Sequence, residues 1–394
     1  MRKLALAGLA LASLGAAPVA QRTIHVVDAE LGPGATFADI QPAVDAAQDG
    51  DAIVVRPGMY SAFAVVGKAL SILGEPGADV VASGATAVAV RQVPAGRDTA
   101  LYGLSVTGSF PTSSPDVMQV SDCAGRVLME EVSMQDTAGA TVLRVERSRQ
   151  VMLEDCTFAG RVRLEDSQAT IQDSVCDGGF GFVPAVGLQL LGSSAATVSR
   201  CTITGGRGLF VGYPDAAAIW ANGTGTSLTV TGDGTGALRA STGSAIGASA
   251  IRGDGTLLLD PDVPLSSSAG QPLLDPALTV QSAEIPSLSM RGAPLGGVVD
   301  ADLNSTPGDL YVLYAAASGD AFAFPAFGGS IWLDLHTVAQ AGLGVLDATG
   351  RGRLAVPFGS STALIGWRVT WQALAGPDLS SLRLSNASGY VHRP

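Results

Sequence analysis

The sequence is poor in basic and in catalytic side chains. Lys3 and Lys68 are its only lysines, it has three histidines, and charged residues make up 15% of its 394 positions. Asp and Glu outnumber Lys and Arg by 35 to 23, giving a formal net charge of −12. Because phosphate binding requires a basic face, this balance argues against a nucleic-acid partner. A lysine-dependent active site in the processed chain would have to use Lys68.

Long apolar runs are also missing after the start of the chain. Arg2 and Lys3 form a basic end, residues 4–16 are apolar, and small residues lead to Ala20, a pattern typical of a signal peptide. A retained N-terminal anchor is the alternative. No later segment reaches the roughly 18 apolar residues of a membrane span. We therefore expect an exported protein, secreted, periplasmic or on the cell surface, that is not integral to the membrane once the signal is removed.

Segments of similar pattern repeat through the first two thirds of the chain. Each has an apolar strand, a polar corner and a second apolar pair, and the shared corner position recurs after 28, 24, 18 and 27 residues. These positions are Leu104, Val132, Cys156, Ser174 and Cys201. A second short strand precedes each unit: MQV (118–120), LRV (143–145), VRL (162–164) and LQL (188–190). The repeats predict an all-β parallel β-helix, in which equivalent positions stack about 4.8 Å apart.

The stretch TFADIQPAVDAAQDGDAIVVRPGMY (36–60) predicts how this β-helix begins. Residues 39–48 have helical spacing, with Asp39 as N-cap and Pro42 tolerated in the first turn. A strand and a Pro57-Gly58 corner follow, so the helix is expected to cover the open end of the first coil. Together with ALSILGE (69–75), this stretch resembles the start of right-handed parallel β-helix proteins of the pectate-lyase-like superfamily. The resemblance spans about residues 22–275 and implies the right hand, which parallel crossovers also favour.

The composition changes towards the C-terminus. Residues 261–288 are rich in Pro and Ser, and the strands that follow are separated by Gly, Pro and Asp turns, which predicts an antiparallel β-sandwich. The segments DATGRGRLAVP, GWRVTWQAL and LRLSNA resemble a C-terminal β-sandwich module of secreted proteins from some Gram-negative bacteria. The predicted division is a signal peptide (1–20), a parallel β-helix (21–275), a linker (276–288) and the sandwich (289–394).

Four cysteines in an exported chain raise the question of disulfides. Cys156 and Cys201 share an inward column but lie two coils apart, further than the roughly 7 Å that a disulfide allows. Cys176 is displaced two residues from that column, and Cys123 is the least constrained. No CxxC motif or paired histidine accompanies them. We therefore expect buried thiols that act as small apolar fillers.

One outward column of the predicted β-helix is acidic. It holds Glu130, Glu154, Gln172 and Ser199, and the corner beside it holds Glu131, Asp155, Asp173 and Arg200. Stacked carboxylates suit Ca²⁺, with Glu130, Glu154, Asp155 and Asp173 as candidate ligands, or an acid/base pair, with Glu154 as the candidate catalytic residue. Asp and Glu also favour solvated corners, and on that interpretation no metal or other cofactor is expected.

A second outward column holds Gln119, Arg144, Arg163 and Gln189. The pectate-lyase-like resemblance implies a calcium ion that acidifies the sugar C5 proton and an arginine that abstracts it, with Arg144 and Arg163 as candidates. Glu146 and Glu165 follow two positions later on the same face and favour a plain ion-pair ladder instead. Trp220 aligns with Gln189 and is a candidate carbohydrate platform, although a core or domain-interface aromatic is the alternative.

Known catalytic signatures are absent from the sequence. The polygalacturonase-type set of NTD, DD, GHG and RxK is missing, and no Ser-His-Asp or Cys-His set can be assembled within the repeats. The sequence therefore favours a non-enzymatic role in adhesion, glycan binding or envelope structure, with an extracellular polysaccharide or cell-surface glycan as partner. A carbohydrate-active enzyme, either a calcium-assisted polysaccharide lyase or a glycoside hydrolase, is the alternative.

Overall fold

The computed structural model describes residues 22–394 except 110–115, 137–140, 182–183, 209–212, 214, 243–245, 269, 318–321 and 325–328. The predicted signal peptide (1–20) therefore lies outside the described residues. Among the residues described, no helix is long and apolar enough to cross a membrane.

Three parallel sheets form the first part of the chain. Sheet 1 contains Ile24–Val27, Ala52–Val55, Ser71–Gly74, Asp98–Tyr102, Arg126–Glu130, Val151–Glu154, Gln168–Gln172, Ala195–Ser199, Ser227–Thr231, Thr256–Leu259 and Thr279–Ser282. Sheet 2 contains Gly58–Tyr60, Ala78–Ser83, Ser105–Ser109, Ser133–Asp136, Thr157–Ala159, Val175–Asp177, Thr202–Thr204, Ala237–Arg239 and Leu265–Ser266. Sheet 3 contains Phe63–Val66, Val88–Arg91, Met118–Ser121, Thr141–Glu146, Arg161–Glu165, Leu188–Leu191, Ile219–Asn222 and Ile251–Gly253. Phe180–Gly181 and Arg207–Gly208 pair separately.

Successive coils contribute one strand to each sheet, so the predicted parallel β-helix is confirmed. The predicted interior file is present: the N–H of Thr157 donates to Val132 O, and that of Val175 donates to Cys156 O, both one coil apart. All five members of the file, from Leu104 to Cys201, are buried. Sequence repeats could specify this register because a one-residue slip would turn each apolar side chain outwards.

The corner between sheets 1 and 2 has a left-handed backbone. Glu131, Asp155, Asp173 and Arg200 have φ between 46° and 55°. Each donates its N–H to the next coil, as Glu131 does to Glu154 O at 3.0 Å. At this corner, one left-handed residue in each of these coils turns the chain sharply while its amide stays in the ladder. Asp tolerates this conformation better than most residues.

A short helix, Ile40–Ala46, covers the first coil, as predicted. Asp39 accepts the N–H of Ile40 at 2.8 Å, and Ile40, Ala43 and Val44 are buried. The Lys68 ammonium donates to the carbonyls of Val44, Asp45 and Ala47 at 2.7–3.0 Å. Lys68 is therefore committed to the C-terminal end of this helix, where a cation is stabilising.

The four cysteines are buried and unpaired with one another, which confirms the prediction of buried thiols. Cys201 illustrates the environment: its thiol lies 3.2 Å from Ser199 O, and burial raises the pKa of Cys201 to about 12. These thiols are poor nucleophiles because the thiolate form is suppressed.

The chain ends in antiparallel sheets that we call the C-terminal module, starting at Ser287. One sheet contains Ser287–Arg291, Val298–Asn304 and Arg351–Pro357, and a second contains Leu310–Ala316, Ala339–Val345, Arg368–Gly376, Arg383–Leu384 and Ser388–Val391. Phe322–Phe324 pairs with Gly329–Ile331, and a 3-10 turn spans Thr362–Leu364. The two larger sheets enclose a core that includes Leu288, Val299, Leu313 and Trp371. This is the expected β-sandwich.

The C-terminal module packs along the outer face of sheet 1. Leu128 and Met152 point outwards from the sheet and bury against Trp332, Ile365 and Val391 of the module. Polar contacts extend over many coils, from Ser71 Oγ, which donates to Gly366 O at 2.8 Å, to Asp233, whose carboxylate lies 3.8 Å from Arg351. The sequence did not predict this docking.

The predicted linker, 276–288, contains ordered strands. Thr279–Ser282 pairs with Thr256–Leu259 and extends sheet 1, while Ser287–Arg291 already belongs to the C-terminal module. About four residues separate the last strand of sheet 1 from the first strand of the C-terminal module, so the module follows the β-helix after a short connection. The division into domains itself stays a prediction.

Candidate functional site

A column of polar and aromatic side chains runs along the outer face of sheet 3. The register places its members on successive coils, in the order Gln119, Arg144, Arg163, Gln189, Trp220 and Arg252. They point outwards because their neighbours on either side, such as Val162 and Leu164, fill the interior. The structure thus brings together the predicted Arg144, Arg163 and Trp220 and adds Arg252.

Sheet 3 is basic in an otherwise acidic protein. Its strands carry Arg91, Arg144, Arg161, Arg163 and Arg252 against Glu146 and Glu165. The strands of sheets 1 and 2 carry Asp79, Asp98, Glu130, Asp136, Glu154 and Asp177 against Arg126 and Arg239. Burial and the neighbouring Arg163 lower the pKa of Arg161, a sign that positive charge is crowded here. Sheet 3 is therefore the face that suits an anion.

The predicted ion pairs are present, with a third carboxylate that the sequence did not reveal. Arg163 lies 3.0 Å from Glu165, and Arg144 contacts Glu146 as well as Glu165, the latter at 3.4 Å. Asp116 joins them at 3.7 Å from Arg144. Burial raises the pKa of Asp116, and the two arginines oppose that shift. Asp116 lies two residues before the strand Met118–Ser121 and outside the repeated segments, so no repeat pattern could have aligned it.

Several polar atoms of this face have no hydrogen-bond partner among the described residues. They are the Nε atoms of Arg144, Arg161 and Arg163 and the Oε1 atom of Gln189. Gln189 is only 7% exposed. Buried polar atoms in folded proteins are nearly always hydrogen-bonded, so this cluster of donors with one acceptor is unusual. The side chains of Arg144 and Arg163 as a whole are 32% and 28% exposed, so a polar ligand can reach them.

The connections from sheet 2 to sheet 3 differ in length around this cluster. Gly160 alone joins Thr157–Ala159 to Arg161–Glu165. The connection one coil later covers residues 178–187, and the one two coils earlier covers 110–117. Arg161 and Arg163 therefore follow the shortest connection, between coils that carry longer ones.

Trp220 is half-buried, and one face of its ring is in contact with a cation. The guanidinium of Arg252, the next member of the column, lies 5.6 Å from the ring centroid. Such a pair contributes about 0.5–1 kcal/mol at an exposed site. The indole edge and the guanidinium together extend the column by two coils.

The acidic column predicted on sheet 1 is covered by the C-terminal module, not open to solvent. Glu130 and Glu154 are 4% and 2% exposed, and they accept the N–H groups of Val391 and Gly389 at 2.9 and 2.5 Å. At the corner, Asp173 pairs with Arg200 at 2.8 Å and accepts Ser289 Oγ, while Asp155 stays exposed. The outward position was right, but the face it occupies is a domain interface.

The burial of this column affects the residues that were predicted as metal ligands. Among the described residues, no group of three or more His, Cys, Asp or Glu side chains is placed to hold a metal ion. Glu154 and Glu130 are adjacent in register, and burial raises the pKa of both, to about 8 for Glu130. Both carboxyls therefore hold their protons more tightly than an exposed glutamate does.

Two solved structures share this architecture at low similarity. A pectin methylesterase, solved in complex with a hexasaccharide, has 13% identity and a TM-score of 0.38, over 63% of this chain and 90% of its own. The enzymatically active domain of tailspike protein 2 from bacteriophage CBA120 has 9% identity and a TM-score of 0.30, over 94% of this chain and 76% of its own. No known protein family matches the sequence, and no curated protein matches it significantly. The similarity is one of fold and does not locate a site.

Proposed function

We propose that this protein binds an anionic extracellular polysaccharide along the outer face of sheet 3. The observation that carries the proposal is the in-register run of Arg144, Arg163 and Gln189, in which both arginine side chains remain partly exposed. A polymer of uronate or sulfated sugars carries negative charges at regular intervals, and the coils repeat at regular intervals as well. The export that this role requires is itself still a prediction.

The ligand is expected to gain most from Arg163. Its guanidinium has one carboxylate contact among the described residues, to Glu165, whereas that of Arg144 has three. A charge-assisted hydrogen bond to such a donor contributes about 1.5–3 kcal/mol. Losing it corresponds to a weakening of about tenfold or more.

Affinity electrophoresis with polygalacturonate as the probe and neutral dextran as reference tests the proposal. Arg163→Gln should weaken polygalacturonate binding by about tenfold. Arg239→Gln, at an exposed strand end in sheet 2, is the matched control and should bind as the wild type does. Equal weakening by both variants, or no retention of the wild type at low salt, would contradict the proposal.

A second candidate function is turnover of the same polymer by a lyase or hydrolase. It is favoured by Asp116, a carboxyl with a raised pKa that lies 3.7 Å from Arg144 in the same cluster. A carboxyl whose pKa is raised is better suited than an ordinary aspartate to act as a general acid. Asp116→Asn should then abolish product formation from polygalacturonate while binding persists. Absence of products from the wild type, with and without calcium, would leave binding as the function.

A further inference from the structure

A cleft lies away from sheet 3, between sheet 1 and the C-terminal module. One column on the outer face of sheet 1 reads Leu128, Met152, Thr170, Thr197 and Thr229 on successive coils. Leu128 and Met152 are buried against the module. The column becomes polar from Thr170 onwards, and the cleft between these threonines and the module has a volume of about 240 Å³.

The floor of the cleft contains a hydroxyl that the protein does not use. Thr170 is 1% exposed, and its Oγ1 has no hydrogen-bond partner among the described residues. A buried, unsatisfied hydroxyl costs about 1–3 kcal/mol, whereas valine has the same shape and would avoid that cost. Thr197 and Thr229 are half-buried and lead from Thr170 towards the mouth.

The opposite wall is held rigidly by hydrogen bonds. Gln372 accepts the backbone N–H of Trp332 at 3.1 Å and donates to the carbonyls of Ser330 and Ser385. Gln168 crosses the cleft and donates to Ser330 Oγ at 3.3 Å. The wall therefore needs no rearrangement to receive a ligand, which favours binding.

The chemistry of the lining restricts the ligand. Threonine, serine, glutamine, asparagine and one tryptophan surround the cleft together with alanine, leucine and isoleucine, and none of the described lining residues is ionisable. An ionic ligand would lose its hydration without a counter-charge. At about 240 Å³ the cleft is smaller than the roughly 300–1,000 Å³ of pockets for drug-sized ligands, so it suits a smaller molecule such as one sugar unit. We propose that this cleft binds a single neutral sugar unit, independently of the anion-binding face of sheet 3.

Saturation-transfer NMR and calorimetry with methyl glucopyranoside, methyl mannopyranoside and methyl galactopyranoside test this, with glucuronate as the anionic comparator. At least one neutral glycoside should bind saturably and glucuronate should not. Thr170→Val removes the hydroxyl at constant shape and Thr229→Phe fills the mouth, and each should weaken binding by about tenfold or more. Thermal melts check that both variants fold.

Two controls separate this site from the rest of the molecule. Thr202→Val, on sheet 2, and Arg163→Gln, on sheet 3, should both bind the neutral glycoside as the wild type does. The proposal is overturned if no neutral glycoside binds saturably, or if Thr170→Val and Thr229→Phe both bind it unchanged. Because Arg163→Gln addresses only the polyuronate site, failure of either proposal can be recognised without the other.

Discussion

The buried carboxyl of Glu130 is expected to make the stability of this protein fall as pH rises. Burial raises the pKa of Glu130 to about 8, and the nearby Glu131 and Asp155 add to the shift. Glu154, its partner in register, is displaced in the same direction, by burial and then by Glu130. Both carboxyls face the strand Ser388–Val391 of the C-terminal module.

The sign follows from proton linkage. An unfolded glutamate titrates near pH 4.3, so below that pH Glu130 is protonated in both states and the stability is fully present. Above it, unfolding releases a proton that the folded protein retains, and the free energy of unfolding decreases until the pH passes the folded pKa of about 8. Between pH 5 and 8 the loss amounts to about 4 kcal/mol, at about 1.36 kcal/mol per pH unit.

Glu130→Gln tests this argument because the amide oxygen can still accept the Val391 N–H but cannot titrate. Urea unfolding between pH 5 and 8, followed by tryptophan fluorescence, should show a shallower pH dependence than the wild type, and the remaining slope comes from Glu154. Trp332 lies in the contact between module and sheet 1 and reports its opening. Glu130→Ala, which leaves the Val391 N–H without this acceptor, should be less stable by about 1–3 kcal/mol even at pH 5. Parallel curves for wild type and Glu130→Gln would refute the reasoning.

Three further predictions concern the parallel β-helix. Ellman's reagent should not react with the native protein but should detect all four thiols in urea, because every cysteine is buried; rapid native labelling would contradict that burial. Lys68→Met should lower the free energy of unfolding by about 1.5–3 kcal/mol, since it removes three hydrogen bonds from a charged donor, and an unchanged urea midpoint would argue against this cap. Gln92, which follows the sheet 3 strand Val88–Arg91, has φ 57°, so Gln92→Val should be less stable than Gln92→Gly by about 1–2 kcal/mol in thermal melts; equal stability would show that this position is not constrained.

The sequence predicted the parallel β-helix well because the residue pattern that specifies each coil is local and repeated. The file from Val132 to Cys201 followed from pattern alone, and so did the covering helix, whose cap and spacing lie within one short stretch. The neighbours on sheet 3 were identified from the same register, including the pairing of Arg163 with Glu165. Arg252 continues this column in the strand Ile251–Gly253, and the same alignment could have identified it.

What the sequence did not predict depends on contacts between distant parts of the chain. Glu130 and Glu154 were placed outwards correctly, but whether that face meets solvent depends on a module more than 200 residues later. A signal was present: Leu128 and Met152 share the outward side with these glutamates. Large apolar side chains on a supposedly wet face indicate that something covers it. Asp116 lies outside the repeated segments, where no periodicity applies.

The docked module changes how the coils can come apart. A stack of coils held only by contacts between adjacent repeats can unfold from one end, and each coil then has its own free energy of unfolding. Here the module holds coils from Ser71 to Asp233 at once, so an inner coil cannot detach without also breaking this shared contact. The stack and the module should therefore melt together in a single cooperative event, as a globular domain does and an unsupported array of repeats does not.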